Sequence, residues 1–110
     1  MAFDEKQYED IFSMIILAGD ARAYASEASN LAYDYDFHSA EEKLKLAREK
    51  LVEAHNIQTK FLNTEAAGKG EDINIFLVHA QDHFSMASMA IEFAEKLIRV
   101  YKKIKGGEDN

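Results

Sequence analysis

Apolar and small residues recur along this chain at alternating steps of three and four, a period that a helix satisfies and a strand does not. In the middle of the sequence Ala40, Leu44, Ala47, Leu51, Ala54, Gln58, Phe61 and Glu65 trace a heptad seam. Further on, Ile75, His79, Asp82, Met86, Met89, Phe93, Leu97, Val100 and Ile104 share one stripe. The first stretch carries Tyr8, Ile11, Phe12, Ile15 and Ala18, then an alanine-rich half that closes on Leu31 and Ala32. The pattern predicts helices over 5–33, 39–67 and 72–105, with 106–110 as a frayed tail. Tyr33-Asp34-Tyr35-Asp36-Phe37-His38-Ser39 reads as a polar, aromatic connector, in which Ser39 and Glu42 have the spacing of a capping box. Gly68 marks the second turn as a left-handed terminator, and Asp72 is placed to cap the helix that follows.

Connections this short make successive helices antiparallel neighbours. The predicted fold is all-α, a single domain over 1–110 built as an antiparallel up-down-up three-helix bundle. A thirty-residue helix spans about 45 Å at its usual rise, so the bundle is slender and buries modest area per residue. Besides its stripe, the third helix offers Phe76, Val78, Ala87, Ala90, Ala94 and Tyr101, enough to face two surfaces. That predicts a homo-oligomer with this helix near its centre.

Composition narrows the chemistry. The 110 residues include no cysteine, which removes disulfides, zinc–thiolate sites and thiol nucleophiles. They include no proline, so long helices run uninterrupted. Thirteen Lys and Arg against twenty Asp and Glu leave a formal charge of −7, contrary to the basic footprint that nucleic acid or an anionic membrane surface requires. Ile15-Ile16-Leu17 is too short and too polar in its flanks for a secretory h-region or a membrane span. The expected setting is cytoplasmic, with no nucleic acid and no direct membrane insertion.

The informative anomaly is His79-Ala80-Gln81-Asp82-His83. Positions 79, 82 and 83 stand at i, i+3 and i+4, so their side chains share one helix face, on the stripe expected to be buried. Ionisable groups there need a partner, a proton or a ligand. Gln58, and His55 one register away, interrupt the second helix in the same manner. Three readings account for this. The first is a hydrogen-bonded polar network that sets helix register in a non-catalytic helical oligomerisation module. The second is a His-ligated metal hydrolase using His79 and His83, since H-x-x-x-H on a helix ligates zinc; no distant third ligand supports it. The third is covalent chemistry at histidine, the most plausible nucleophile in a chain without cysteine or a G-x-S-x-G elbow. Imidazole suits phosphoryl acceptance; Gln81 or His83 can donate to phosphoryl oxygens, and Asp82 can orient an imidazole or hold a cation. No glycine-rich phosphate loop is present, so a phosphorylated protein is the expected donor.

Several residues have structural readings. Gly19 in mid-helix predicts a close helix approach or a kink. Arg22 is read as a solvated surface residue, His55 and Gln58 as core-satisfying, and Met86 and Met89 as packing residues. Lys96, Arg99, Lys102, Lys103 and Lys105 suit the C-terminal end of a helix.

Over nearly its whole length the sequence resembles the lactose/cellobiose-type enzyme IIA component of the bacterial phosphoenolpyruvate-dependent sugar phosphotransferase system. Leu77-Val78-His79-Ala80-Gln81-Asp82-His83 resembles the family's phosphorylation-site motif. Ala18-Gly19-Asp20-Ala21-Arg22, Glu53-Ala54-His55-Asn56-Ile57-Gln58-Thr59 and Glu65-Ala66-Ala67-Gly68 match in order elsewhere. The resemblance implies that His79 takes a phosphoryl group from phospho-HPr and passes it to a cysteine on the cognate IIB component. Uptake through the membrane IIC component would then phosphorylate a β-linked disaccharide of the cellobiose, chitobiose or lactose type. It further implies a homotrimer of three-helix bundles in which Asp82 meets its symmetry mates around a divalent cation, with magnesium expected. Ala80 leans the resemblance toward cellobiose-like or chitobiose-like sugars. Where relatives commonly continue with Leu-Met-Thr this chain has Phe84-Ser85-Met86, which leaves His79 and Asp82 intact but removes a hydroxyl at position 86.

Overall fold

The computed structural model describes residues 3–68 and 74–106. Three helices follow in order, α1 over Glu5–Tyr33, α2 over Phe37–Ala66 and α3 over Ile75–Gly106, and the described residues include no strand. They form a rod of 58 × 21 × 18 Å with a radius of gyration of 17.0 Å. A compact domain of this length would have a radius of about 13 Å, so the slenderness expected of thirty-residue helices is real.

Local chemistry explains the ends. Asp4 and Gln7 make a reciprocal capping box at the start of α1, with both hydrogen bonds 2.8 Å long. At its other end the Tyr35 amide donates to the Ala32 carbonyl at 3.0 Å and the Asp36 amide to that of Leu31 at 2.9 Å. This is a Schellman closure, and Tyr35 takes the left-handed position (φ 65°) that glycine usually fills. The residue that caps α2 is Asp36 rather than Ser39: its carboxylate accepts from the Ser39 amide at 3.3 Å, and the helix begins at Phe37. Asp36 prevails because the Schellman closure already holds it at the turn, where its short carboxylate reaches the first free amides. Gly68 does adopt the left-handed conformation (φ 75°) after α2. The cap expected at Asp72 lies outside the described residues. Asn74 fills that role at α3, its side-chain carbonyl accepting from the amides of Phe76 (2.9 Å) and Leu77 (3.3 Å). At the far end the helix continues through Gly106, the first residue of the expected tail.

The core is made chiefly of alanine. Ala18, Ala21, Ala25, Ala28 and Ala32 of α1 face Ala40 and Ala47 of α2 and Ala87 and Ala94 of α3, with Leu44, Ile91 and Ile98 filling the layers between. Nearer the N-terminus of α1, Ile11 and Met14 close a second cluster with Phe3, Ala54 and Ala80. Small side chains let α1 lie close against both other helices. Two polar pairs also join α2 to α3: Gln58 with Gln81, and Arg48 with Glu95.

Two expectations need correction. The α3 stripe read as the buried one is not buried within the chain: Ile75, Met89, Phe93, Val100 and Ile104 keep between 50% and 72% of their surface exposed. The inward stripe is Ala80, Ala87, Ile91, Ala94 and Ile98. An alanine-lined α1 accepts small partners at short range, and the bulkier stripe is left outside. Nor does Gly19 mark a close helix approach, since a Cβ built there meets nothing within 4 Å.

Candidate functional site

The site grows from the first turns of α3. Asn74 caps that helix and also donates through Nδ2 to the Tyr8 hydroxyl at 3.1 Å. Phe76, one turn before His79, meets the rings of Tyr8 and Phe12 edge-on, at 6.2 and 5.7 Å between centroids. The start of α3 is thereby tied to the start of α1, which holds the turn bearing His79 in place. Sequence reasoning missed Asn74 because its role depends on a tyrosine 66 positions away.

One turn on, His79 and His83 stand Nε2 to Nε2 at 3.0 Å, with ring planes at 89° and centroids 4.4 Å apart. In a hydrogen bond between them one ring donates and the other accepts, the tautomer deciding which. His79 is exposed and His83 half-buried. A shallow, open groove beside them is lined by Ile75, Phe76, Val78, His79 and Asp82. Asp82 is exposed on the same flank, within the unburied apolar stripe.

The structure thus brings His79, Asp82 and His83 to one flank of α3 and turns Gln81 away. Gln81 is half-buried against α2, where its Oε1 accepts from Gln58 Nε2. His55 is exposed, with its ring 6.0 Å from that of Phe84 on the α2–α3 flank. Phe84, part of the departure from the family pattern, also packs against the second core cluster. Ser85 is exposed, whereas Met86 is half-buried and receives the Arg22 guanidinium at 3.6 Å on its sulfur. Met89 is 64% exposed, so it is no packing residue within the chain. Among the described residues no three His, Cys, Asp or Glu side chains converge on one point. A single chain therefore offers a hard cation one carboxylate at Asp82.

The described residues thus form a long three-helix rod with a histidine pair beside an open groove. The family described as "PTS system, Lactose/Cellobiose specific IIA subunit" matches residues 9–102, and the chain belongs to it. The lichenan-specific phosphotransferase enzyme IIA component of Bacillus subtilis is 36% identical over 101 residues, covering 92% of each chain. The crystal structure of the cellobiose-specific enzyme IIA from Bacillus anthracis superposes with a TM-score of 0.88 at 34% identity, over 94% of this chain and 95% of that one. The IIA(Chitobiose)–HPr complex of Escherichia coli contains a chain that superposes with a TM-score of 0.80 at 33% identity, over 93% of this chain and 99% of that one. The fold and the sugar phosphotransferase class expected from the sequence are thus established. No described helix is long and apolar enough to cross a membrane.

Proposed function

We propose that this chain is the phosphohistidine carrier of a β-linked disaccharide phosphotransferase system, acting in the cytoplasm, with His79 as the residue phosphorylated. The observation that carries the reading is the placement of His79, exposed at the edge of an open groove with its ring held by His83. The likeness to a IIA that forms a complex with HPr supports phospho-HPr as the donor. When His83 donates, His79 keeps its proton on Nδ1 and its lone pair on Nε2. As His83 releases its hydrogen bond to Nε2, that lone pair attacks phosphorus while the N–P bond of the donor phosphohistidine breaks, and the electron pair of that bond returns to the donor ring. His83 is then free to donate to a phosphoryl oxygen. In the second transfer a thiolate of the cognate IIB takes the phosphoryl group, and His79 returns to its neutral form. The sugar enters through the membrane IIC component. Both steps depend on in-line positioning and charge compensation rather than on demanding proton chemistry.

The reading includes a homotrimer. The outward stripe of Ile75, Met89, Phe93, Val100 and Ile104 leaves a row of exposed apolar side chains along α3, a surface that association with further copies would cover. Packed about a threefold axis, it would bring three Asp82 carboxylates together. Their oxygens suit a hard divalent ion such as magnesium, which would neutralise charges that otherwise repel.

The test is phosphorylation by phosphoenolpyruvate with enzyme I and HPr, read by intact mass on the wild type and on His79→Ala. One acid-labile phosphoryl group per chain, absent from the variant, is expected. Absence of transfer from a demonstrably active HPr refutes the carrier role.

A further inference from the structure

The same two rings have a second capacity. Two nitrogens each about 2.1 Å from one metal ion lie about 3.0 Å apart when the ligand–metal–ligand angle is a right angle, and about 3.4 Å apart when it is tetrahedral. His79 Nε2 and His83 Nε2 are 3.0 Å apart. They sit one helical turn apart with their rings crossed at 89°; once the ring that carries the Nε2 proton holds it on Nδ1 instead, rotation of both rings would aim two Nε2 lone pairs at a common point on the open side of α3. The exposure of His79 beside an open groove leaves room there for water to complete the coordination shell.

We infer that His79 and His83 chelate a borderline transition-metal ion of right-angled geometry, Cu²⁺ or Ni²⁺ ahead of Zn²⁺, and that the bound ion blocks phosphoryl acceptance. The block rests on the carrier reading above: an ion on Nε2 occupies the lone pair that must attack phosphorus. Imidazole is a good ligand for these ions and a poor one for magnesium, which prefers oxygen. The site is therefore distinct in chemistry from a carboxylate cage at Asp82. Its ligands come from one chain, so it does not depend on assembly. Of the other two histidines, His38 is exposed at the start of α2 beside Glu42, and His55 rests on Phe84; neither has a second imidazole one turn away.

Two measurements on the untagged protein decide the matter. Calorimetric titration with Ni²⁺ is expected to give one ion per chain, with affinity lowered at least tenfold in His83→Ala and unchanged in His38→Ala. Equal affinity in wild type and His83→Ala, or no binding at submillimolar Ni²⁺, overturns the chelate. Transfer from phospho-HPr is then followed with and without metal. Ni²⁺ should slow the wild type at least tenfold, reversibly with a chelator, and Mg²⁺ should not. His83→Ala should proceed at its own metal-free rate when Ni²⁺ is added; equal slowing of both proteins places the effect on the donor and overturns the block. If the metal-free wild type accepts no phosphoryl group, the carrier reading and the block fall together, while the calorimetry still decides the chelate.

Discussion

At the scale of single residues the active flank depends on one geometric relation. Residues four apart on a helix are neighbours, and His79 and His83 use that proximity to bring their Nε2 atoms to 3.0 Å. His79→Ala should abolish phosphorylation without unfolding the chain, because the ring is exposed and leaves no cavity. Gly19 makes an opposite case. It lies exposed in mid-α1, and a Cβ at that position would have nothing within 4 Å, so Gly19→Ala should stabilise an isolated chain by about 0.5–1 kcal/mol and raise Tm by a few degrees. A lower Tm, or a weaker oligomer at equal fold, would show that a second chain covers that glycine. Tyr35 is a third special residue: it accepts a left-handed conformation while its ring meets Phe37 at 6.0 Å and carries the Lys105 ammonium at 4.9 Å.

At the scale of elements, the three helices are closed by different devices, and the cap that bears on function is Asn74. It satisfies two amides of α3 and bonds to Tyr8 of α1. Asn74→Ala should cost about 1 kcal/mol from the lost cap. Because the turn carrying His79 follows directly, the variant should also slow transfer from phospho-HPr more than a stability loss of that size explains; thermal unfolding and transfer rates measured together check this. The helices are the most legible part of the sequence, since periodicity is a local property: the expected bounds fall within three residues of the observed ones. Caps were less legible. Ser39 and Glu42 have the right spacing, yet Asp36 takes the position because the backbone closure of α1 decides where α2 can start.

At the scale of the molecule, the rod hides an alanine core and shows a bulkier apolar stripe. Only Ile11, Met14, Leu44 and Ile98 are large side chains buried almost completely among the described residues. Such a core buries little area, so covering the outer stripe of α3 with further copies would add a large share of the stability. Phe93→Glu is expected to dissociate the proposed trimer at micromolar concentrations while leaving the helical content of the chain intact, as read by light scattering and circular dichroism. If the proposed axial site exists, Asp82→Ala should lower divalent-ion binding and weaken the proposed trimer; a trimer that holds metal without Asp82 would refute that site.

Residue spacing was enough to set the helices, the first connection and the joint placement of His79, Asp82 and His83 on one flank, because helical geometry alone dictates which side chains are neighbours. The chain also carried in plain view the motif by which it resembles its family. Which apolar stripe of α3 faces inward was settled by packing instead. Periodicity sees two such stripes and cannot rank them; the alanine face of α1 selects the small one, since close approach rewards small side chains with more contact than large ones can make there. That choice leaves His79 and Asp82 at the surface and turns Gln81 toward Gln58. It thereby converts an apparent burden of buried charge into a histidine pair whose His79 ring is exposed.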